Sequence, residues 1–589
     1  MTFNRLSATQ IAASIHSGET TAVDVVKNTL ERIEAYNEIQ PQIWISRADP
    51  DHLLAAAAQI DQRIAQGERL PLAGVPYAVK DNIDVAGLDT TAACPAFAFQ
   101  PAQSADVVAS LEAAGAICIG KTNLDQFATG LVGTRSPYGV PCNPYNRAYV
   151  SGGSSSGSAV TTATGLVAFA LGTDTAGSGR VPAAFQHLIG FKPTKGRWST
   201  TGLVPACRTL DCITAFTTSI EDARLVDQVI AGFDPTDPYS KPLADRPLKP
   251  KRVAVPLPDQ RAWFGDAEST FLYDQALETL GSLVEIVPID IGPLMEAAQL
   301  LYSGPWVAER TAALASLLAD NPDAIDPTVR DIVAAGAEIG AVDAFRGQYR
   351  LAALKRETDQ LWDNIDAFAF PTTGTTYRVR EIEAEPIRLN SHLGYYTNFV
   401  NLLDMPAAAV PAGARANRTG FGITLIAPAD CDQALLTLAQ DYLKAADLPE
   451  PPPLDLEDYM ETVKLAVVGA HLKDMPLHWQ LSSRDAGFVG AFETAPNYRL
   501  YAMEESVPPK PALVHIEDGA AIPVEVYELD MAAFGSFVAE VPAPLAIGTV
   551  TLSDGSRVKG FVAEPRATHG AVDITDLGGW RAYIASKNG

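Results

Sequence analysis

Hydrophobic and polar positions follow two alternating periods from about residue 72 to residue 430. Short apolar runs such as GVPYAVKD, AICIGKTN and VAFALGTD are separated by segments with helical spacing, such as ADVVASLEAAG. Strands that alternate with helices are typical of α/β layered domains, so the pattern predicts a mixed or largely parallel sheet. Residues 7 to 35 predict two helices, the first capped by Ser7 and the second by Thr20 or Thr21.

The pattern changes at LPEPPPLDLED, residues 448 to 458, where four prolines and four acidic residues occupy eleven positions. Such a segment cannot sustain a helix and favours an extended linker. The segments beyond it alternate as strands do and contain DG turns, which predicts a mostly-β domain of about 120 residues. We therefore expect one domain over residues 1–447, a linker over 448–464 and a second domain over 465–589.

Composition and net charge indicate which kinds of molecule the protein can bind. The 589 residues carry a formal net charge of −26, which disfavours nucleic acid and anionic membrane surfaces. A single buried arginine could still bind a small anion. No apolar run reaches the ~18 residues of a membrane span, and the N-terminus does not resemble a secretory signal. The six cysteines form no CxxC pair, so we expect reduced thiols and a cytoplasmic protein.

Two glycine–serine clusters, SGGSSSGSAV and GTDTAGSGR, are the candidate chemistry. Small residues from Thr175 to Ser178 allow successive backbone N–H groups to converge on an oxyanion, with Ser178 as nucleophile, although a structural turn fits equally well. A serine needs a base. His187 is close in sequence but is expected on a helix that covers the sheet. Lys80 ends an apolar run, where lost hydration favours a neutral amine; a strand-end lysine in solvent is the alternative.

Four blocks together resemble the amidase signature family over about residues 70 to 215: PLAGVPYAVKDNIDVAG, GKTNLDQFATG, SGGSSSGSAV and GTDTAGSGRVPAAF. The resemblance implies a mixed β-sheet covered by helices on both faces. It implies Ser178 as nucleophile, Ser154 as the bridging serine on a cis peptide bond, and Lys80 as the terminal base. The oxyanion hole would be the backbone amides of Thr175, Ala176, Gly177 and Ser178. Supporting hydrogen bonds are expected from Ser155, Ser156, Asp174 and Arg180.

The segment QLLYSGPWVAERTAAL bears on the substrate. Pro305 fits the first position of a helix, which places Arg310 two turns in and Tyr302 before it. A solvated arginine and a packed tyrosine would be the ordinary interpretation. The segment is similar, however, to one in the allophanate hydrolase branch of the family, in which a Tyr and an Arg hold the substrate's carboxylate. A bidentate arginine suits such a group. The Thr129-Gly130 turn would line the other side of the pocket.

The second domain supports the same resemblance, because that branch carries an extra domain that resembles the gamma-glutamylcyclotransferase fold. A histidine of this domain would act on N-carboxycarbamate. His471 is the first candidate and His478 the second, while Glu525 is a weaker candidate for the pocket of this domain. The implied reaction converts allophanate to ammonia and N-carboxycarbamate, which decarboxylates, giving two ammonia and two CO2 in all.

No cofactor or metal is expected, because the histidines show no HxH or HExxH spacing and no phosphate-loop motif is present. The resemblance implies a homodimer and a link to a biotin-dependent urea carboxylase or a cyanuric acid pathway.

Two alternative functions remain open. A general small-amide amidase or an amidotransferase glutaminase subunit would keep the three catalytic residues without needing Arg310 or the second domain. A non-enzymatic scaffold would not need the three catalytic residues.

Overall fold

The predicted alternation of strands and helices is present in the computed structural model, which describes residues 2–451, 454–455, 462–484, 486–503 and 506–588. The chain divides into two units, residues 2–454 and 455–589. The last helix of the first unit ends at Ala446. Of the predicted linker over 448–464, residues 452–453 and 456–461 lie outside the described residues.

The first unit mixes strands and helices throughout its length. Its strands are β1 (Thr2–Phe3), β2 (Trp44–Arg47), β3 (Pro76–Lys80), β4 (Ile117–Thr122), β5 (Phe169–Asp174), β6 (Ile189–Lys192), β7 (Cys212–Thr217), β8 (Arg252–Pro256), β9 (Glu285–Ile289), β10 (Ala367–Pro371), β11 (Ala407–Ala414) and β12 (Gly420–Ile426). Its helices are α1 (Ala8–Ser17), α2 (Ala22–Asn37), α3 (Pro50–Ala65), α4 (Asp106–Ala113), α5 (Ser156–Ala163), α6 (Val181–Phe185), α7 (Ile220–Ile230), α8 (Ala267–Gly281), α9 (Gly292–Ser303), α10 (Trp306–Asp320), α11 (Pro327–Ala334), α12 (Ala341–Asp359), α13 (Val379–Ala384), α14 (Arg388–Leu393), α15 (Phe399–Leu402) and α16 (Asp432–Ala446). Among the described residues, no helix is long and apolar enough to span a membrane.

The first two helices begin where their polar caps predict. The Ser7 hydroxyl accepts the backbone N–H of Gln10 at the start of α1. The Thr21 hydroxyl accepts that of Asp24 at the start of α2. Each cap satisfies an N–H group that the first turn of a helix leaves without a partner. The prediction of two capped helices is confirmed, and Thr21 is the second cap.

One mixed sheet organises the first unit. Within residues 2–451 it holds eleven strands in the order β2-β4-β3-β5-β7-β6-β11-β12-β10-β8-β9. Strand β3 lies parallel to both β4 and β5, whereas β5 is antiparallel to β7. The register pairs Val79 with Leu171, so the carboxyl ends of β3 and β5 meet at one edge of the sheet. That edge receives Lys80 from β3 and the segment after Asp174 from β5.

Side chains that alternate along the strands enter two apolar cores, one on each face of the sheet. Val253 and Val255 of β8 pack in a core with residues of α1, α4, α7, α8 and α16. Ala254, between them, packs in a second core with residues of α9, α12 and α15. Strand residues point alternately to opposite faces, so helices cover both. The expected mixed sheet with helices on both faces is confirmed.

The second unit is mostly β, as its pattern predicts. Strand β13 (Leu454–Asp455) lies where the units divide. The strands after it are β14 (Thr462–Val467), β15 (Gly487–Glu493), β16 (Tyr498–Met503), β17 (Lys510–His515), β18 (Pro523–Asp530), β19 (Leu545–Thr551), β20 (Arg557–Ala563) and β21 (Val572–Asp573), and the helices are α17 (Trp479–Ser482), α18 (Met531–Ala539) and α19 (Trp580–Asn588). In the described residues they form a five-stranded sheet, β15-β18-β14-β20-β19, and a three-stranded sheet, β17-β16-β21. The resemblance to the gamma-glutamylcyclotransferase fold stays a prediction.

Candidate active site

Lys80 lies at the end of β3 with its side chain fully buried. Its Nζ donates to the hydroxyls of Ser154 at 2.7 Å, Ser155 at 2.9 Å and Thr173 at 2.7 Å. The sequence alternative of a strand-end lysine in solvent is therefore wrong. Three hydroxyl oxygens match the three donors of an ammonium group, and a neutral amine in the same place can accept a proton from one of them.

Burial lowers the pKa of Lys80 from 10.5 to about 7. The charged amine loses its hydration in the interior, and this loss outweighs the attraction of Asp125, Asp211 and Asp174, whose negative charges raise the pKa. A pKa near 7 means that a large fraction of Lys80 is neutral at physiological pH. The site thus contains an amine that can act as a base beside a serine hydroxyl.

Ser154 follows a glycine pair, and the peptide bond between Gly153 and Ser154 is cis. Gly152 has a φ of +78°, and a Cβ there would lie 2.8 Å from the Cα of Pro182. Only glycine fits this position without strain. The carbonyl of Ser154 accepts the backbone N–H of Asp125 at 3.0 Å. Ser154 is therefore held by its main chain on one side and by Lys80 on the other.

Residues 174–180, called the serine turn below, leave the end of β5. The Asp174 carboxylate accepts the N–H groups of Gly177 at 2.9 Å and Gly179 at 3.1 Å. It also accepts two bonds of 2.9 Å from Arg180, and both side chains are fully buried. Burial alone would raise the pKa of Asp174, but Arg180, Lys192 and the N–H of Gly179 hold it below its usual value. A bidentate ion pair thus fixes the turn's shape.

Ser178 lies within this turn and is 2% exposed. Its Oγ donates to the carbonyl of Gly130 at 3.4 Å. In the described residues no hydrogen bond joins the hydroxyls of Ser178 and Ser154. The structure therefore brings Lys80 and Ser154 into contact, while Ser178 faces the Thr129-Gly130 segment.

Three of the four predicted oxyanion donors are available in this arrangement. The N–H of Gly177 already donates to Asp174. No hydrogen bond is described for the N–H groups of Thr175, Ala176 and Ser178. Thr397 donates to the Ala176 carbonyl at 2.6 Å, which orients the peptide groups of the turn. Unpaired N–H groups beside a serine hydroxyl suit a developing negative charge on oxygen.

Arg310 is buried in the same region, with 2% of its surface exposed. It lies on α10, which has Pro305 at its N-cap, and Tyr302 lies on the preceding helix, α9. The guanidinium donates from Nη1 to the Thr129 hydroxyl at 2.9 Å and lies 5.4 Å from the Tyr302 ring centroid. Among the residues that the structure describes, its Nε and Nη2 have no hydrogen-bond partner. The ordinary interpretation of a solvated arginine is therefore wrong.

The Thr129-Gly130 segment connects these two parts of the site. Thr129 accepts a bond from Arg310 through its side chain, and Gly130 accepts one from Ser178 through its carbonyl. Buried donors are nearly always paired in proteins, so the two free nitrogens of Arg310 indicate a place for an acceptor that the protein itself does not supply.

The histidine candidates occupy other positions. His187 follows α6 rather than lying on it, and burial lowers its pKa to about 4. In the second unit, His471 stacks on Phe561 with centroids 4.9 Å apart, and its Nε2 lies 2.7 Å from the Gln480 side-chain oxygen. Burial lowers the pKa of His471 to about 4, so it is neutral at pH 7. In the described part of the chain, no three His, Cys, Asp or Glu residues group as a metal site would require.

His478 and Glu525 lie near His471. The Nδ1 of His478 is 3.2 Å from the carbonyl of His471, and its ring lies 5.6 Å from that of Tyr527. The Tyr527 hydroxyl donates to Glu525 at 2.9 Å, and Arg581 pairs with the same carboxylate at 2.7 Å. The three second-domain candidates are therefore neighbours: His478 contacts the His471 backbone and the Tyr527 ring, and Tyr527 contacts Glu525.

Three polar residues of the site were missed by sequence reasoning. Thr173 accepts a bond from Lys80, Asp211 accepts the hydroxyl of Thr175, and Asp125 accepts three backbone N–H groups of the loop after Gly130. Asp125 and Thr173 are inside the quoted blocks GKTNLDQFATG and GTDTAGSGR. Their place inside these blocks was the only signal for Asp125 and Thr173, and Asp211 had none.

Comparison with known proteins shows the family to which the chain belongs. The Amidase family model matches residues 24–436, and the model of the allophanate hydrolase C-terminal domain matches residues 463–585. The chain belongs to the amidase family. It is 35% identical over 446 residues to a glutamyl-tRNA(Gln) amidotransferase subunit of Carboxydothermus hydrogenoformans, covering 69% of this chain and 90% of that protein.

Other relatives of this amidase match both units. A urea amidolyase of Lachancea kluyveri is 46% identical over 573 residues, which cover 92% of this chain. The chain spans 31% of the length of that protein and of the Saccharomyces cerevisiae urea amidolyase. The solved structure of Kluyveromyces lactis allophanate hydrolase is similar at 41% identity with a TM-score of 0.71, over 98% of this chain and 99% of that one.

The pKa of Lys80 generates a prediction about Ser178. We expect the rate at which a fluorophosphonate labels Ser178 to rise with pH through about 7 and then level off, because only neutral Lys80 can accept a proton. Mass spectrometry of the labelled peptide would measure the rate. Ser178→Ala should abolish labelling, and Lys80→Ala should remove the rise. A labelling rate that does not change between pH 6 and 8 would contradict the assignment of Lys80 as the base for Ser178.

Proposed function

We propose that this amidase hydrolyses allophanate to ammonia and N-carboxycarbamate. The observation that carries the proposal is the buried guanidinium of Arg310, which keeps two unpaired nitrogens next to the segment that faces Ser178. Allophanate has a carboxylate at one end and a carboxamide at the other, separated by one nitrogen. A carboxylate on Arg310 would satisfy its free donors and direct the carboxamide towards Ser178.

The charges of the molecule favour a small anion at this place. A surface with a net charge of −26 repels anions, so an anionic substrate needs a local positive charge. Arg310 supplies it without a carboxylate partner within salt-bridge distance in the described residues. The ring of Tyr302 against the guanidinium keeps that charge in place. The names of the relatives, urea amidolyase and allophanate hydrolase, support this substrate.

In the first half of the reaction, Lys80 is the base, Ser154 the relay and Ser178 the nucleophile. For this transfer the Ser178 hydroxyl has to turn from the Gly130 carbonyl, to which it donates, towards Ser154. Neutral Lys80 takes the Ser154 proton, Ser154 takes that of Ser178, and the Ser178 oxygen attacks the carboxamide carbon. The free N–H groups of the serine turn stabilise the oxyanion. The proton returns through Ser154 to the departing nitrogen, which leaves as ammonia, and Ser178 remains acylated.

In the second half, water attacks the acyl-enzyme carbon and gives its proton to Lys80 through Ser154. The carbon–Oγ bond breaks, Ser178 recovers a proton, and N-carboxycarbamate is released. Loss of CO2 from this product leaves carbamate, which yields the second ammonia and the second CO2. We infer that the second unit acts on N-carboxycarbamate, with His471 as the first candidate and His478 as the second. Glu525 would belong to the same pocket.

We also infer the setting in which the reaction occurs. Allophanate would come from an enzyme that carboxylates urea or from a cyanuric acid pathway. The urea amidolyase relatives favour a biotin-dependent urea carboxylase as that source. The enzyme would work as a homodimer in the cytoplasm, without a cofactor.

A general small-amide amidase is the alternative within the family. It is favoured by the 35% identity to an amidotransferase subunit, which covers 69% of this chain. Such an enzyme would have no need for a buried arginine with free donors, nor for the group around His471. A neutral amide should therefore be a poor substrate compared with allophanate.

Replacing Arg310 tests the substrate. Arg310→Ala should raise KM for allophanate about 100-fold or more, because the carboxylate loses a buried charged partner worth about 3 kcal/mol. Hydrolysis of a neutral amide such as butyramide should change less than threefold. Ammonia release measures both. Arg208→Ala, at an exposed arginine, is the matched control and should leave both unchanged. Equal losses on both substrates would favour the general amidase.

Replacing His471 tests the division of labour. His471→Ala should leave the first ammonia release within twofold of the original rate, because the amidase machinery lies in the first unit. N-carboxycarbamate should then accumulate, and ¹³C NMR with labelled allophanate would detect it. His569→Ala, at an exposed histidine of the same unit, serves as the control. A loss of first-ammonia release as large as that of Lys80→Ala would contradict the assignment.

A further inference from the structure

We propose that Asp125 is a positioning residue of the reaction, which holds Ser154 and the Thr129-Gly130 segment in register with Lys80. The inference rests on the proposed roles of Lys80, Ser154 and Ser178. Asp125 contacts neither the nucleophile nor the place of the substrate in the proposal, and it acts through the residues that it orients.

The main chain and the side chain of Asp125 bind opposite parts of the site. Its backbone N–H donates to the Ser154 carbonyl at 3.0 Å. Its Oδ2 accepts the N–H groups of Val132 at 3.1 Å and Gly133 at 3.0 Å, and its Oδ1 accepts that of Arg135 at 3.0 Å. The loop that these bonds order begins at Thr129-Gly130. One residue therefore connects the proposed relay to the segment between Ser178 and Arg310.

Two glycines show how closely this carboxylate is packed. A Cβ placed on Gly130 or on Gly153 would overlap Oδ2 of Asp125. Gly153 is the residue before Ser154, and Gly130 supplies the carbonyl that accepts from Ser178. The carboxylate thus fills the space that both backbone segments leave open, and any movement of it would move both.

The charge of Asp125 also acts on Lys80. Asp125, Asp211 and Asp174 are the carboxylates that raise the pKa of Lys80, and Asp125 has the largest effect of the three. Asp174 is neutralised by Arg180. Burial raises the pKa of Asp211 to about 6, so Asp211 loses its charge below that pH. Among the described residues, no lysine or arginine lies within salt-bridge distance of Asp125, so its charge acts on Lys80 without a competing ion pair.

Asp125→Asn is the direct test. The amide keeps the size of the side chain but loses the negative charge and one acceptor oxygen. We expect the acidic limb of kcat/KM for allophanate to move about one pH unit lower, because Lys80 loses an attractive charge. We also expect kcat to fall at least tenfold, because the loop that begins at Thr129-Gly130 loses one of the two acceptor oxygens that hold it. A residue that served only to stabilise the fold would not move the limb.

Asp222→Asn is the matched control. Asp222 is a fully buried carboxylate that accepts the Thr9 N–H and the Ser7 hydroxyl in another part of the first unit. Its variant should keep both the pH limb and kcat. Gly130→Ala is the second variant, since it displaces the carboxylate but keeps the charge. It should lower kcat at least tenfold and move the limb less than Asp125→Asn does, because the negative charge remains near Lys80.

The possible outcomes distinguish failure of the proposed Lys80–Ser154–Ser178 mechanism from failure of the inference about Asp125. Fluorophosphonate labelling of Ser178 is measured alongside hydrolysis, so a wrong substrate leaves the test of Asp125 intact. Retention of activity in Lys80→Ala would overturn the proposed mechanism. A dependence on Lys80 together with an unmoved limb in folded Asp125→Asn would overturn the inference about Asp125 alone. If Asp125→Asn does not fold, unchanged kcat in Gly130→Ala overturns the inference.

Discussion

The site depends on the burial of one amine. Lys80 ends a strand inside the protein, where water is replaced by three hydroxyl groups and its pKa falls to about 7. A solvent-exposed lysine would be protonated at this pH and could not act as a base. The sheet creates this condition, since the parallel pairing of β3 with β5 brings Lys80 and Thr173 together.

Buried charges elsewhere in the site are arranged by the same constraint. An ion in the protein interior must be paired or hydrogen-bonded. Asp174 meets Arg180 in a bidentate pair, and Lys121 lies 3.1 Å from Asp81 with both side chains fully buried. Arg310 differs, because in the described residues no carboxylate lies within salt-bridge distance of it and two of its nitrogens have no hydrogen-bond partner. Nη1 of Arg180 also lacks a hydrogen-bond partner, but that guanidinium is paired with Asp174. The lack of an ion pair therefore distinguishes Arg310 from Arg180 and Lys121.

Much of the fold was predictable because its signals are local. Alternating strands and helices, the caps at Ser7 and Thr21, and the change of pattern near residue 448 each depend on a few consecutive residues. The choice between a buried and a solvated Lys80 was not local, because it depends on Ser154 and Thr173, which lie 74 and 93 residues away. The family resemblance supplied the roles of these residues, whereas the burial and the distances required the structure.

The details that the sequence did not predict are those in which two acceptors could bind the same donor group. Sequence reasoning assigned the Gly177 N–H to the oxyanion hole, but the carboxylate of Asp174 occupies it. The Ser178 hydroxyl faces Gly130 rather than Ser154. Asp125 was overlooked because an acidic residue followed by a polar one in LDQF has no distinctive pattern. Each of these depends on which donor reaches which acceptor after the chain has folded.

The central claim is that burial makes Lys80 a neutral base at physiological pH. The most direct measurement is a pH titration of the Lys80 side chain by ¹³C NMR of lysine labelled at Cε, with the resonance assigned by its loss in Lys80→Met. The account predicts a titration midpoint of about 7. A midpoint near 10, the ordinary value for lysine, would contradict it.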